Sequence, residues 1–514
     1  MSQKRYYVTT PIYYVNDAPH IGHAYTSLAC DVIARFKRLD GYDVMFLSGT
    51  DEHGQKVAKS AAAAGVEPQA FTDKVSQNFR DLLKALNITN DDFIRTTEPR
   101  HKKACQALWE ELLKRDEIYL GKYAGWYAVR DEAYYGEGEL TNGPGGKKIA
   151  PSGAECEWVE EPSYFFKLSA WGDRLLAFYE KNPDFILPHT RRNEVVSFVK
   201  SGMHDLSVSR TAMNWGVAVP NEPKHVMYVW LDALTNYMTG VGYPDTQSAS
   251  YKKFWPADLH MVGKDILRFH AVYWPAFLMA AGLEPPRRVF AHGWWTNEGQ
   301  KISKSLGNVI DPYELIKTYG LDQTRYFLMR EVSFGQDGDF SRAAMIRRIN
   351  SELANGIGNL AQRSLSMINK NCGAKVPNYV ETPEEQRLRL LANNLLPNIR
   401  RDIDVQAFNK VLDQVWALIS EADKYIDSQA PWALKKTDPA RMETVLYVIA
   451  EVLRHVAIVM QPFMPDAMSK LLDQLGVSAG ERDFVHLTKD YALKTGASLP
   501  PPQGVFPRYV EAAA

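Results

Sequence analysis

Tyr6-Tyr7-Val8-Thr9-Thr10, then His20-Ile21-Gly22-His23, then Asp43-Val44-Met45-Phe46-Leu47: the reading of these three runs sets the architecture of the chain. The aromatic and β-branched run from Tyr6 to Thr10 predicts a buried strand. Pro11, Asn16, Asp17 and Pro19 turn the following segment into a loop. Ile21, Tyr25, Leu28, Val32 and Phe36 recur at helical spacing, so a helix opens near His20. Asp43 to Leu47 is a second strand, and it ends in Ser48-Gly49-Thr50-Asp51-Glu52-His53-Gly54. Strand, loop, helix, strand is a βαβ unit. It predicts an α/β fold built on a doubly wound, parallel, Rossmann-like sheet with ligands at the C-terminal ends of its strands.

The pattern continues with interruptions. Residues 1–118 read as the first half of the sheet domain. From about Leu120 aromatics, glycines and short β-like runs take over, through Trp126, Tyr134, Tyr135, Gly145 and Trp158, so 119–224 is expected to be an inserted β-rich domain. Strand and helix pattern returns with His225-Val226-Met227-Tyr228-Val229-Trp230, and Leu259–Val262 and Arg288–Ala291 read as two further strands. The sheet is therefore split, with its second half in 225–290. Residues 291–345 connect it to an almost wholly helical region, 346–514, whose apolar spacing predicts an antiparallel bundle. A proline-rich tail, Leu499-Pro500-Pro501-Pro502, follows.

The 514 residues suffice for about three domains at ~150 residues each. A hydrophobic content of 45% and a charged content of 24% are those of a globular protein. A net charge of −1 excludes a globally basic nucleic-acid binder, so any such contact rests on local patches. Cys30, Cys105, Cys156 and Cys372 are scattered, which points to a reducing, cytoplasmic setting. No apolar run has the length of a membrane span, and the first strand leaves no room for a signal peptide.

Two short strings carry the chemistry. His20 and His23 lie on one face of a first helical turn, where neutral imidazoles and unpaired backbone N–H groups suit phosphate oxygens. Gly22 lets a nucleotide approach the backbone. Far downstream, Lys301-Ile302-Ser303-Lys304-Ser305 follows Asn297-Glu298-Gly299-Gln300, read as a flexible turn, and its ammonium groups can close over β- and γ-phosphates. Either string alone is as well explained by solvated surface. Together, on a split parallel sheet, they predict in-line displacement at an α-phosphate: a carboxylate attacks and pyrophosphate leaves. Catalysis is then positioning plus stabilisation of the leaving charge. Magnesium would travel with the ATP.

On these residues the chain resembles the class I aminoacyl-tRNA synthetases. His20-Ile21-Gly22-His23 matches their HIGH motif and Lys301–Ser305 their KMSKS motif, with Ile302 in place of Met. Within that class it is most similar to the methionine-specific family. The resemblance implies an ATP site at His20, Gly22, His23, Gly263, Asp265, Lys301 and Lys304. It implies an L-methionine pocket from Pro11, Ile12, Tyr14, Asp51, Trp230, Ala233, Leu234, Tyr237, Ile266 and His270. The residue chemistry fits: Asp51 can pair with an ammonium, Trp230 and Tyr237 offer polarizable walls for a thioether, and Tyr14 and His270 offer weak donors to sulfur. Such contacts matter because an apolar pocket separates one methylene by only ~1–3 kcal/mol. The insertion is too short for the editing domain of the leucine, isoleucine and valine enzymes.

Many members of the family hold zinc in the insertion with C-x-x-C pairs. Here Tyr127–Asp131 has no cysteine and Gly153–Cys156 keeps one, so no structural zinc is expected. The helical region resembles an anticodon-binding bundle, with Asn359, Arg363 and Trp432 at the positions that read tRNA(Met), initiator tRNA included. Without a further C-terminal domain, a monomer is expected. Three other readings are open: a smaller nucleotidyltransferase, a non-catalytic RNA-binding relative, and a sister synthetase for cysteine, which would want a zinc site in the pocket that the placement of the cysteines does not offer. The long helical tail argues against the first, and the intact phosphate motifs against the second.

Overall fold

The computed structural model describes residues 4–15, 18–131, 133–302 and 306–511. The chain divides into two compact units, one of His20–Val44 and Gly293–Ala514 with the first few residues, the other of Arg5–Pro19 and Met45–His292.

The second unit holds the expected parallel sheet. Its strands run in the order Ile186–Leu187, Val289–His292, Leu259–Gly263, Arg5–Thr9, Asp43–Asp51 and Tyr13–Tyr14, with Asp92–Arg95 also paired to Asp43–Asp51. Val8 faces Leu259, His260 faces Val289 and Leu47 faces Asp92, each in parallel register. The strand interiors are near-continuous buried apolar runs, as a sheet covered on both faces requires. The first strand has Asp43–Asp51, which follows it across the helix Ile21–Leu39, on one side and the much later Leu259–Gly263 on the other. That is the switch point of a doubly wound sheet, where the crevice beyond the strand C-termini forms.

Two expectations about this unit need correction. The range 119–224 is not wholly an insertion, because Ile186–Leu187 pairs in parallel with Val289–His292 and belongs to the main sheet. Two residues carry too little pattern to be read as a strand. His225–Met227 does not rejoin the parallel sheet: Glu222–Met227 pairs antiparallel with Ser209–Arg210 and Ala218–Val219. Trp230 then lies on the helix Val229–Thr239. The β-rich part is a long antiparallel pair, Ile118–Ala128 against Glu155–Phe166, extended by short strands around a small core of Ala128, Ala150, Ala154 and Cys156.

The first unit begins with the helix Ile21–Leu39. Asp31, buried in its middle, accepts from Arg35 at 2.7 Å and from the buried Arg325 at 2.7 Å. Arg325 also donates to the carbonyls of Pro462 and Phe463, at 2.8 and 3.1 Å. One guanidinium thus ties the N-terminal helix to the bundle of Asn359–Asn371, Pro383–Asp404, Phe408–Gln429 and Pro439–Met460. The proline-rich tail docks as a strap. Asn350 exchanges two hydrogen bonds with the Tyr509 backbone, at 2.8 and 3.0 Å, and Phe506 is buried. Among the described residues, no helix is long and apolar enough to cross a membrane.

Candidate functional site

The histidine pair is organised by helix capping. His20 precedes the helix Ile21–Leu39; its Nδ1 accepts the Gly22 N–H at 3.1 Å, and the His20 N–H is accepted by His23 Nδ1 at 3.1 Å. Each ring therefore uses its Nδ1 lone pair on the backbone, and a neutral ring carries its hydrogen on Nε2. Burial, then the neighbouring His20, holds the His23 pKa well below the ordinary imidazole value, so His23 is neutral at pH 7. The rings sit 3.9 Å apart and are tilted by 34°, two adjacent donors of the kind phosphate oxygens accept. Gly22 has a reason beyond nucleotide approach: a Cβ there would lie 2.9 Å from His20 Cε1, so a side chain would displace the capping ring.

The turn expected at Asn297–Gln300 is the tight end of a hairpin, and Lys301 stands on the hairpin's second strand. Gln300–Lys301 pairs antiparallel with Trp295–Asn297, and Trp295–Asn297 pairs in parallel with Gly338–Phe340. The two-residue connection has positive φ at both Glu298 (49°) and Gly299 (76°), the geometry that closes tight hairpins. Asn308 donates to the Lys301 carbonyl at 3.0 Å and its own carbonyl accepts from Asn297 at 2.8 Å, which closes the base of the loop. Lys304 lies outside the described residues. Tyr25, two residues beyond His23, meets Trp295 edge-on at 5.4 Å. The helix that starts at the histidines therefore packs on the strand that pairs with Lys301.

In the other unit, strand ends and one helix carry the residues expected to line an amino-acid pocket. Tyr14 lies opposite Asp51 in parallel register, and Asp51 is buried at the end of its strand. Ala233, Leu234 and Tyr237 are buried on the helix Val229–Thr239, and Ile12, Trp230 and Ile266 are partly buried against the same core. Trp230 stacks on Phe269 at 3.5 Å, and the Tyr237 hydroxyl meets His270 Nε2 at 2.6 Å. His270 Nδ1 donates to the Ile266 carbonyl at 2.9 Å, so Nε2 accepts and Tyr237 O–H donates. Burial lowers the His270 pKa to about 4 and keeps the ring neutral. Pro11 follows the first strand at the switch point, where Gly263 ends the neighbouring strand and the exposed Asp265 follows.

His270 lies in a π-helical turn, Phe269–Tyr273, followed by Pro275. Proline at 275 has no N–H to give the carbonyl of Ala271 four residues back. That carbonyl instead accepts the Tyr179 hydroxyl at 2.6 Å. The sequence reading missed Phe269 and Tyr179. The first had a signal, an aromatic beside His270; the second had none.

The knuckle of the insertion has the wrong donors for zinc. Asp131 accepts from Ser152 and from Tyr135 at 2.9 Å, so its carboxylate is already engaged. Burial, then Asp131, pushes the Cys156 thiol above its ordinary pKa, which disfavours the thiolate that zinc needs. In the bundle, Asn359 is exposed at a helix start and Trp432 is exposed just past Ala430, whose left-handed φ of 45° ends the preceding helix. Arg363 is engaged by Asp423 at 2.9 Å and Asp427 at 2.8 Å, so base recognition would have to compete with two carboxylates.

Comparison with known proteins agrees with this geometry. The family model described as "tRNA synthetases class I (M)" matches residues 6–158 and 146–365, and that described as "Anticodon binding domain of methionyl tRNA ligase" matches 376–513. Fold and sequence together make the chain a class I aminoacyl-tRNA synthetase. The methionine–tRNA ligase of Rickettsia felis is 60% identical over 508 residues, 98% of each chain. That of Mesorhizobium japonicum is 57% identical over 512 residues, 99% of each. A solved structure of Mycobacterium tuberculosis methionyl-tRNA synthetase in complex with methionyl-adenylate is 53% identical, with a TM-score of 0.96 over 98% of this chain and 100% of that one. The chain belongs to the methionine–tRNA ligase family.

Proposed function

We infer that the chain activates L-methionine with ATP, forming methionyl-adenylate and pyrophosphate, and then transfers the methionyl group to tRNA(Met), initiator tRNA included. The observation that carries the amino-acid specificity is the Tyr237–His270–Ile266 chain of hydrogen bonds, which holds a neutral polar ring against the aromatic wall of Trp230 and Phe269.

In the first step a methionine carboxylate oxygen attacks the α-phosphorus of ATP and the bond to pyrophosphate breaks. Asp51 pairs with the substrate ammonium. Pro11, Ile12, Tyr14, Trp230, Ala233, Leu234, Tyr237, Ile266 and His270 enclose the side chain. His20 and His23 donate Nε2–H to phosphate oxygens, Gly22 keeps that pair in place, and Lys301 and Lys304 neutralise the departing pyrophosphate. Gly263 and Asp265 receive the ribose. Mg2+ enters with the nucleotide and needs no protein cage. By analogy with single oxyanion donors, each group that acts on developing charge supplies roughly 3–4 kcal/mol. In the second step a ribose hydroxyl at the tRNA end attacks the adenylate carbonyl and AMP leaves. Asn359, Arg363 and Trp432 engage the anticodon, and the enzyme works as a cytoplasmic monomer. The knuckle functions without zinc; one zinc per chain in desalted protein would overturn that.

The test is pyrophosphate exchange with each of the twenty amino acids, on the parent and on Lys304→Ala. Methionine alone should support rapid exchange. Lys304→Ala should slow it by roughly two orders of magnitude or more, with methionine binding retained. Unchanged exchange in the variant removes the loop from the mechanism.

A further inference from the structure

The turn that carries Asp51 is clamped by buried charge on both sides. Glu52, fully buried, takes Arg95 in a two-armed pair at 2.6 and 2.9 Å and the Thr50 hydroxyl at 2.8 Å. His53, also buried, has its Nδ1 2.6 Å from Asp232 Oδ2. The other oxygen, Oδ1, faces His101 Nε2 at 2.8 Å. On its far side, His101 Nδ1 lies 3.1 Å from Thr239 Oγ1, whose own hydrogen goes to the Thr235 carbonyl. The His101 ring is therefore held from both sides, by the Asp232 carboxylate and by the Thr239 hydroxyl oxygen. Burial alone would raise the Asp232 carboxyl pKa; His53 and His101 overcome that and hold it well below the usual range.

Cys105 Sγ, 3.2 Å from His101 Nε2, completes a cluster with the residue types of a metal site. The spacing speaks for protons. Two ligand atoms at about 2.0–2.1 Å from a tetrahedral zinc lie roughly 3.3 Å apart, whereas His101 Nε2 and Asp232 Oδ1 are at hydrogen-bond distance, 2.8 Å.

The network joins three elements. His53 follows the strand that ends in Asp51; Asp232 sits on the helix Val229–Thr239 between Trp230 and Ala233; His101 is on the helix Pro99–Lys114. We propose that His53, Asp232 and His101 are positioning residues for methionine: they fix the Asp51 carboxylate against the Trp230–Tyr237 wall, and their integrity sets affinity for the amino acid and not for ATP. This rests on the pocket reading given above.

The experiment is pyrophosphate exchange on active-site-titrated enzyme, with KM for methionine and for ATP measured separately, for Asp51→Asn, His53→Ala, His53→Asn and Asp232→Asn. Asparagine at 53 places an amide N–H near the position of Nδ1. His53→Ala and Asp232→Asn should raise KM for methionine roughly tenfold or more and leave KM for ATP within about twofold; His53→Asn should recover most of the loss. If His53→Ala does not fold, His53→Gln, whose amide sits nearer the position of Nε2, replaces it with the same expectation. Unchanged methionine KM, equal movement of both constants, or no recovery by asparagine overturns the proposal. Asp51→Asn separates the two levels. If it leaves methionine KM unaltered, the pocket reading itself is lost. If it raises KM while the His53 and Asp232 variants do not, only the positioning role fails.

Discussion

Replacing Tyr237 by Phe removes one oxygen from a buried site and nothing else. In the native protein that hydroxyl donates to His270 Nε2 at 2.6 Å, while Nδ1 of the same ring donates to Ile266. Tyr237 is 1% exposed and His270 2% exposed, so water does not readily replace the lost donor. Leaving a buried acceptor unpaired costs about 1–3 kcal/mol. At 1.4 kcal/mol per factor of ten, that is roughly 5- to 150-fold in an equilibrium or rate ratio. The ring is held in the pocket by this bond, so the cost should appear in kcat/KM for methionine. The Tyr237 ring still stacks on His260, 4.0 Å away, so packing in the core should survive. The assay is methionine-dependent pyrophosphate exchange, run beside norleucine, which has the same length without sulfur. Tyr237→Phe should lower kcat/KM for methionine by about tenfold and narrow the preference over norleucine. A change under twofold for both amino acids, in protein that melts like the parent, would refute the reasoning.

Three further outcomes are expected. Asp31→Asn removes the carboxylate that the buried Arg325 meets at 2.7 Å and should cost about 3–5 kcal/mol, seen as a lower midpoint of denaturant unfolding; an unchanged midpoint would mean that the guanidinium does not depend on this carboxylate. Asp322 is mostly buried, and burial raises its carboxyl pKa to about 6 although the Ala467 N–H donates to it. The folded state then binds this proton more tightly than the unfolded chain, so the group's contribution to stability is fully present below about pH 4 and is lost as pH rises towards 6. Asp322→Asn should therefore stabilise at pH 7 by about 1–3 kcal/mol, with the gain vanishing near pH 4; a gain independent of pH would sink this account. Trp432→Ala should weaken aminoacylation of tRNA and leave methionine–pyrophosphate exchange intact, whereas equal damage to both would make Trp432 a packing residue.

The parallel sheet and the helical bundle were legible in the chain because both are written in local periodicity. Val8, Leu47 and Val262 lie in near-continuous apolar runs, and Ile21, Tyr25 and Leu28 recur at the helical repeat. The HIGH and KMSKS strings were legible for a related reason: each is a short contiguous run whose residue types already declare an affinity for phosphate. Other features could not be read that way. Ile186–Leu187 is too short to carry a pattern, and it becomes a strand only because Val289–His292 offers an edge. The tautomers of His20 and His23 follow from capping geometry, and the hairpin under Lys301 from two adjacent positive φ values. His53, His101 and Asp232 are far apart in the chain, and although His53 and Asp232 stand beside expected pocket residues, nothing in the sequence pairs them with each other or with His101. Their meaning arises from pairing at 2.6 and 2.8 Å. Apolar burial is non-directional and leaves its trace in the order of residues, whereas a hydrogen-bonded charge network needs distances and angles that exist only once the chain has folded.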